Sequence, residues 1–159
     1  MRDYDRTNFR TDRGRNFSQK QVSQPLNMSF LDKGFYQDKE KTKLIDILIT
    51  TESEKLGKKF ADLKLTSSQL RKFFNEVRSI EAQIDGRFDE QKALILMLKS
   101  KVAYSVGKDS SKTPKEFKEF IDACVDKISD SKDFDAFMKF FESVVGYYYF
   151  HSKFKEEHR

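Results

Sequence analysis

The sequence predicts an all-α fold, a compact bundle of about five helices with a flexible N-terminal tail. Three observations predict it. Helix breakers are scarce: the 159 residues include two Pro and six Gly, most of the Gly at expected helix ends or in the tail, which favours helices over a β-rich fold. From about residue 39 onward, apolar residues recur in steps of three and four, the spacing of one helix face. The hydrophobic share is only 37%, but sixteen Phe and six Tyr supply bulky core side chains. The length suits one domain.

Residues 1–38 are expected to be a disordered or loosely ordered basic tail. "MRDYDRTNFRTDRGRNFSQKQVSQ" has neither a helical nor a strand period. Its Arg2, Arg6, Arg10, Arg13 and Arg15 alternate with Tyr4, Phe9 and Phe17. That pattern fits either stacking on single-stranded RNA or a solubilising tail.

The helical domain is placed at 39–159. "KLIDILI" reads equally as helix or extended strand. Thr50 or Thr51 offers an N-cap, with Glu52 and Glu54 in the following turn. A helix is expected over 40–62, with the cap marking the place of any break. Thr66 with Gln69 three residues on is a capping-box pattern. Behind it Leu70, Phe73, Phe74, Val77, Ile80 and Ile84 line one face, and Gly86 ends the helix. Asp89 is expected to cap a third helix burying Ala93, Leu94, Met97, Leu98 and Val102, with Gly107 as its stop. Thr113, Pro114 and Glu116 are expected to open a fourth as cap, N1 and N3. Its stripe is Phe117, Phe120, Ile121, Cys124, Val125 and Ile128. The last helix carries Phe134, Phe137, Met138, Phe141, Val144, Val145 and Tyr148 on a wide face. Tyr147 to Phe150 run consecutively, so part of that strip must leave the core.

The pattern offers no enzyme constellation. His151 and His158 stand seven apart without a Cys ligand beside them, so no metal site is expected. Neither a Gly-rich phosphate loop nor a nucleophile elbow is present. Acids around Asp85, Asp89 and Glu90 are explained by capping. Cys124, the one cysteine, lies in an apolar stretch and reads as a small core residue in a reducing cytosol. No apolar run approaches the ~20 residues needed to span a bilayer. The protein is expected to be cytoplasmic, without cofactor and without catalytic residues.

The cations say more. Net charge is +5, from 31 Lys and Arg against 26 Asp and Glu, which permits a polyanionic partner without demanding one. Arg71, Asn75 and Arg78 share a polar face opposite Phe73 and Val77. Lys92, Lys99, Lys101 and Lys108 follow along the third helix, and no acid lies between Lys92 and Lys108. Uncompensated cations repel one another, so an anionic partner gains weight against a merely solvated face.

Three blocks then resemble a known family, the small helical subunit of type III-A (Csm) CRISPR–Cas effector complexes. "KLTSSQLRKFFNEV" resembles its Thr-x-Ser-x-Leu/Ile-Arg helix start through Thr66, Ser68, Leu70 and Arg71. "MLKSKVAYSVGKD" is similar to its third-helix block through Lys99, Lys101, Tyr104, Gly107, Lys108 and Asp109. "DFDAFMKFFESVVGYYYFH" resembles its last helix through Lys139, Phe140, Phe141, Glu142, Val145 and Tyr147. The blocks fall in order across roughly 53–152. Where family members carry Arg, the third helix here has Lys, which suits point-charge contacts rather than bidentate ones.

The resemblance implies a non-catalytic scaffold whose copies stack along a guide-RNA filament. They flank the guide–target RNA duplex and hold its backbone, while base pairing reads sequence. Implied partners are guide RNA, target RNA, other Csm subunits and further copies of the chain, with a dimer open for the isolated protein and no membrane. The expected RNA-contacting residues are Arg71, Arg78, Lys99, Lys101 and Lys108, joined by Lys72 and Lys139; Arg78 rests on helix geometry alone. For Arg71, bracing the loop or pairing with an acid such as Glu142 stands as the structural alternative. The competing reading of the whole chain is a helical dimerisation module without an RNA role, working through its aromatic last helix.

Overall fold

The computed structural model describes residues 24–84 and 86–157. It is all-α: five helices, and no strand among the described residues. They are α1 (Ser53–Asp62), α2 (Ser67–Ile84), α3 (Phe88–Lys108), α4 (Lys115–Asp126) and α5 (Ser131–Glu157).

α1 packs chiefly along α5, while α2 lies against both α3 and α5, and α4 lies against α3. The core between them is aromatic. Phe60, Phe117, Phe120, Phe137, Phe140 and Phe141 are all fully buried. Their rings meet mostly edge to face, as Phe60 on Phe117 at 5.4 Å and Phe120 on Phe140 at 5.6 Å, the arrangement that ring quadrupoles favour. Tyr148 closes one end by donating its hydroxyl to the Leu65 carbonyl at 2.5 Å. Cys124 is fully buried, and burial pushes its thiol well above the ordinary range. It is a core residue, as its apolar setting suggested.

Several local expectations are corrected. The helix expected over 40–62 starts at Asp46, and its stretch Leu48–Glu52 is a π-helix that runs directly into α1. Thr50 does not cap; its hydroxyl donates back to the Asp46 carbonyl at 2.9 Å. The buried Ser53 hydroxyl donates to the Leu48 carbonyl five residues back, tying the π turn to the start of α1. Residues 40–45 form a turn instead. The Asp38 carboxylate accepts from the Thr42 amide, the Thr42 hydroxyl and the Lys43 amide. Tyr36 and Leu44 then pair as an isolated bridge.

α3 begins after Arg87, with Asp89 in its first turn rather than at the cap, and it runs through Gly107 to Lys108. Its buried residues are Ile95, Leu98, Val102 and Ser105. Ala93 is exposed and Met97 is 48% exposed, against expectation. α4 starts one residue later than its cap pattern suggested, with Pro114 at the N-cap. Gly86, at φ 67, makes the left-handed turn that follows α2.

Residues 24–38, read from the sequence as part of the tail, lie against the bundle. Leu31 and Phe35 are buried, and the Leu26 amide donates to Glu119 at 2.6 Å. Lys41 fixes the end of this segment. Its ammonium lies 2.6 Å from both Asp130 and Asp133, at the start of α5. The Arg-rich stretch before residue 24 is outside the described residues.

Candidate nucleic-acid interface

The expected cations sit on α2, α3 and α5, and a buried polar knot sets the rotation of two of these helices. Half of the capping box forms: the Thr66 hydroxyl accepts the Gln69 amide at 3.3 Å. The other half does not, because the Gln69 carboxamide oxygen accepts from the Ser105 hydroxyl on α3 at 3.1 Å. Ser105 in turn lies 3.1 Å from the hydroxyl of buried Thr113, ahead of α4. Gln69 and Thr113 therefore lock α2, α3 and the start of α4 together rather than completing caps. That knot orients the faces carrying Lys72, Lys101 and Lys108.

The residues form several groups rather than one strip. Lys72, Phe73 and Glu76 of α2 face Ser100, Lys101 and Tyr104 of α3 across a cleft of about 360 Å³. The Lys101 ammonium is ion-paired with Glu76 inside it. Lys108 lies one turn beyond, its ammonium 6.0 Å from the Tyr104 ring centre. Arg71 occupies the adjoining flank of α2 and donates to the Tyr149 hydroxyl at 3.4 Å. Glu142, the alternative partner expected for Arg71, lines a different groove. There Arg78 and Lys139 meet between α2 and α5, with Glu81, Asp135 and Glu142 around them. The Arg78 guanidinium also stands 5.9 Å from the Phe74 ring.

Lys99 stands apart. Two residues from Lys101, it projects to the other side of α3 and pairs with Asp126 of α4 at 2.7 Å. The hydrogen bond to Asp126 outweighs partial burial and raises the Lys99 pKa above its ordinary value. Two of the α3 cations, Lys99 and Lys101, are thus compensated after all, by acids from α4 and α2. An acid-free run along one helix carries no information about the acids of its neighbours.

Arg71, Lys72, Arg78, Lys108 and Lys139 are exposed and make no ion pair among the described residues. These five can neutralise phosphate without first breaking a bond to a carboxylate. Lys99 and Lys101 cannot. The sequence reading missed Glu76, which compensates Lys101, and named Tyr104 only within the third-helix block, with no contact assigned to it, although it lines the cleft and is 68% exposed. A signal for Tyr104 existed: Lys101, Tyr104 and Lys108 fall at i, i+3 and i+7 on one face.

No group of His, Cys, Asp and Glu able to hold a metal occurs among the described residues. No helix among them is long and apolar enough to cross a membrane. His151 lies partly buried, with Nε2 3.7 Å from Glu54.

A family model described as Csm2 Type III-A matches residues 42–155. No curated protein and no solved structure matches the chain.

Proposed function

The chain belongs to the Csm2 Type III-A family, the small subunit of the type III-A Csm complex, and from that premise we propose that it is a non-catalytic scaffold for RNA. Its partners include other Csm subunits. In this reading copies stack along the filament, and each holds the guide–target backbone without reading sequence. The observation that carries it is the set of five exposed cations on α2, α3 and α5 with no carboxylate bound to them among the described residues. Phosphate contacts of this kind position a nucleic acid and specify nothing.

Arg71, Lys72 and Lys108 are the first choice, with Arg78 and Lys139 on the neighbouring groove. Lys99 and Lys101 contribute only where phosphate displaces Asp126 or Glu76. Stacking needs a protein contact as well. Leu96 and Met97, adjacent on α3 and about half exposed, support one on that helix.

The test is charge reversal. A Csm complex reconstituted with Arg71→Glu, Lys72→Glu and Lys108→Glu should assemble but hold target RNA more weakly and with a shallower salt dependence. Unchanged assembly together with unchanged RNA affinity would sink the RNA face and favour a protein-contact module alone.

A further inference from the structure

We propose that the cleft between α2 and α3 takes one unpaired RNA base, stacked on Tyr104. This rests on the RNA reading above and adds to it, since backbone contacts leave the bases untouched.

The cleft has the shape and chemistry of a small planar-ring site. At about 360 Å³ it lies at the small end of the ~300–1,000 Å³ range of small-molecule sites. That suits a single base. Phe73 forms an apolar wall, and Tyr104 stands at the mouth. Most of the described Phe side chains are buried, whereas the Tyr104 ring is 68% exposed. The helix turns it out while Val102 and Ser105, its near neighbours, turn in.

Polar groups converge on the same space. The Glu76 carboxylate, ion-paired with Lys101, keeps lone pairs that can accept from an exocyclic amine, and the Lys72 ammonium can donate to a carbonyl or ring nitrogen. The Ser100 hydroxyl donates to the Met97 carbonyl at 2.9 Å and keeps its lone pairs for a donor on the base edge. Outside the cleft, Lys108 stands 6.0 Å from the Tyr104 ring, where it can meet the phosphate of the base held below. Such a pairing of an aromatic platform with flanking cations binds single strands with little sequence preference, because every base has a π face. A base paired within a duplex cannot enter, so the occupant is single-stranded.

The test uses the full chain at low salt with two oligomers of equal length. One is a single-stranded RNA; the other is its abasic ribose-phosphate counterpart. The Tyr104→Leu variant should lose about tenfold in affinity for the RNA, the order of one base–aromatic stack, and nothing for the abasic oligomer. Tyr104→Phe should bind RNA as the wild type does. A 2-aminopurine in the RNA should be quenched by the wild type and less by Tyr104→Leu. Equal affinity of wild type and Tyr104→Leu for the RNA overturns this inference and leaves the backbone reading standing; the cleft is then a protein contact. Equal losses on both oligomers overturn it too, since Tyr104 would then act through the backbone. Failure of the wild type to bind either oligomer overturns both readings.

Discussion

Gly57→Ala should destabilise the fold, although the same change at an ordinary helical glycine stabilises. Gly57 lies inside α1, where it faces α5. A Cβ there would meet the Tyr148 amide nitrogen at 2.6 Å, Tyr147 Cβ at 2.7 Å and the Tyr147 carbonyl carbon at 2.8 Å. The closest contact falls about 0.8 Å short of the 3.4 Å at which ordinary contact begins. None of these atoms is the end of a flexible side chain, so α1 and α5 must separate. Overpacking of this kind costs about 1–3 kcal/mol, and backbone atoms place it at the upper end. The better helix propensity of Ala returns about 1 kcal/mol. The net loss is about 1–2 kcal/mol, against a total stability of roughly 5–15 kcal/mol. For a chain of this size Tm should fall by roughly 5 °C. Gly146, on α5, is the control: a Cβ there meets nothing within 4 Å, so Gly146→Ala should stabilise by up to about 1 kcal/mol. Thermal and urea melts followed by circular dichroism compare the two. A Gly57→Ala variant as stable as the wild type would refute the close approach of α1 to α5.

Lys41→Met should cost about 1–3 kcal/mol in urea unfolding, because Asp133 is buried and would lose an ion-pair partner at 2.6 Å; a change under ~0.3 kcal/mol would deny the latch between this segment and α5. Burial alone would lower the Lys41 pKa, but hydrogen bonds to Asp130 and Asp133 outweigh it and raise it, so this latch holds at neutral pH and, on the alkaline side, is lost as pH rises through that raised value. Glu76→Gln should leave stability within about 1 kcal/mol, since the pair with Lys101 is over a third exposed, while RNA affinity rises and its salt slope steepens by roughly 0.7–0.9 as Lys101 is released; weaker binding would count against the site. The Ser111 hydroxyl, followed by Lys112 and the Ser111 amide, holds the Asp109 carboxyl down from 3.8 to about 2. A group lowered in this way stabilises above its ordinary pKa and loses that contribution as pH falls toward about 2. NMR titration of the Ser111 amide should therefore show the turn after α3 loosening only in that acid window, and a midpoint near 3.8 would contradict the contact.

The stripes of α2 and α4 were legible because each helix is apolar on one face and polar on the other; on α5 the wide apolar face was legible, but not that Ala136 and Phe140 are buried as well. α3 was harder. "ALILML" is apolar on every side, so its period does not say which residues turn inward. The bundle buries Ile95 and Leu98, and leaves Leu96 and Met97 at the surface. The segment from Leu26 to Lys41 was illegible for the opposite reason. Its buried residues, Leu31 and Phe35, enter the core singly from a non-repetitive chain. Gln69 and Thr113 look like caps in one dimension; only packing reveals that Ser105 draws both side chains away. The cations themselves were legible as residue types in a helical spacing. Their partners were not, since Glu76 and Asp126 come from other helices.

In the proposed function, cations of α2 and α3 that make no ion pair among the described residues bind RNA through its phosphates. The salt dependence of RNA affinity tests it most directly, measured for a Csm complex carrying the wild-type subunit and one carrying Lys72→Gln and Lys108→Gln. The slope of log affinity against log salt should become shallower, by about 0.7–0.9 for each cation removed per contacting copy. An unchanged slope would contradict it, whatever happens to the affinity.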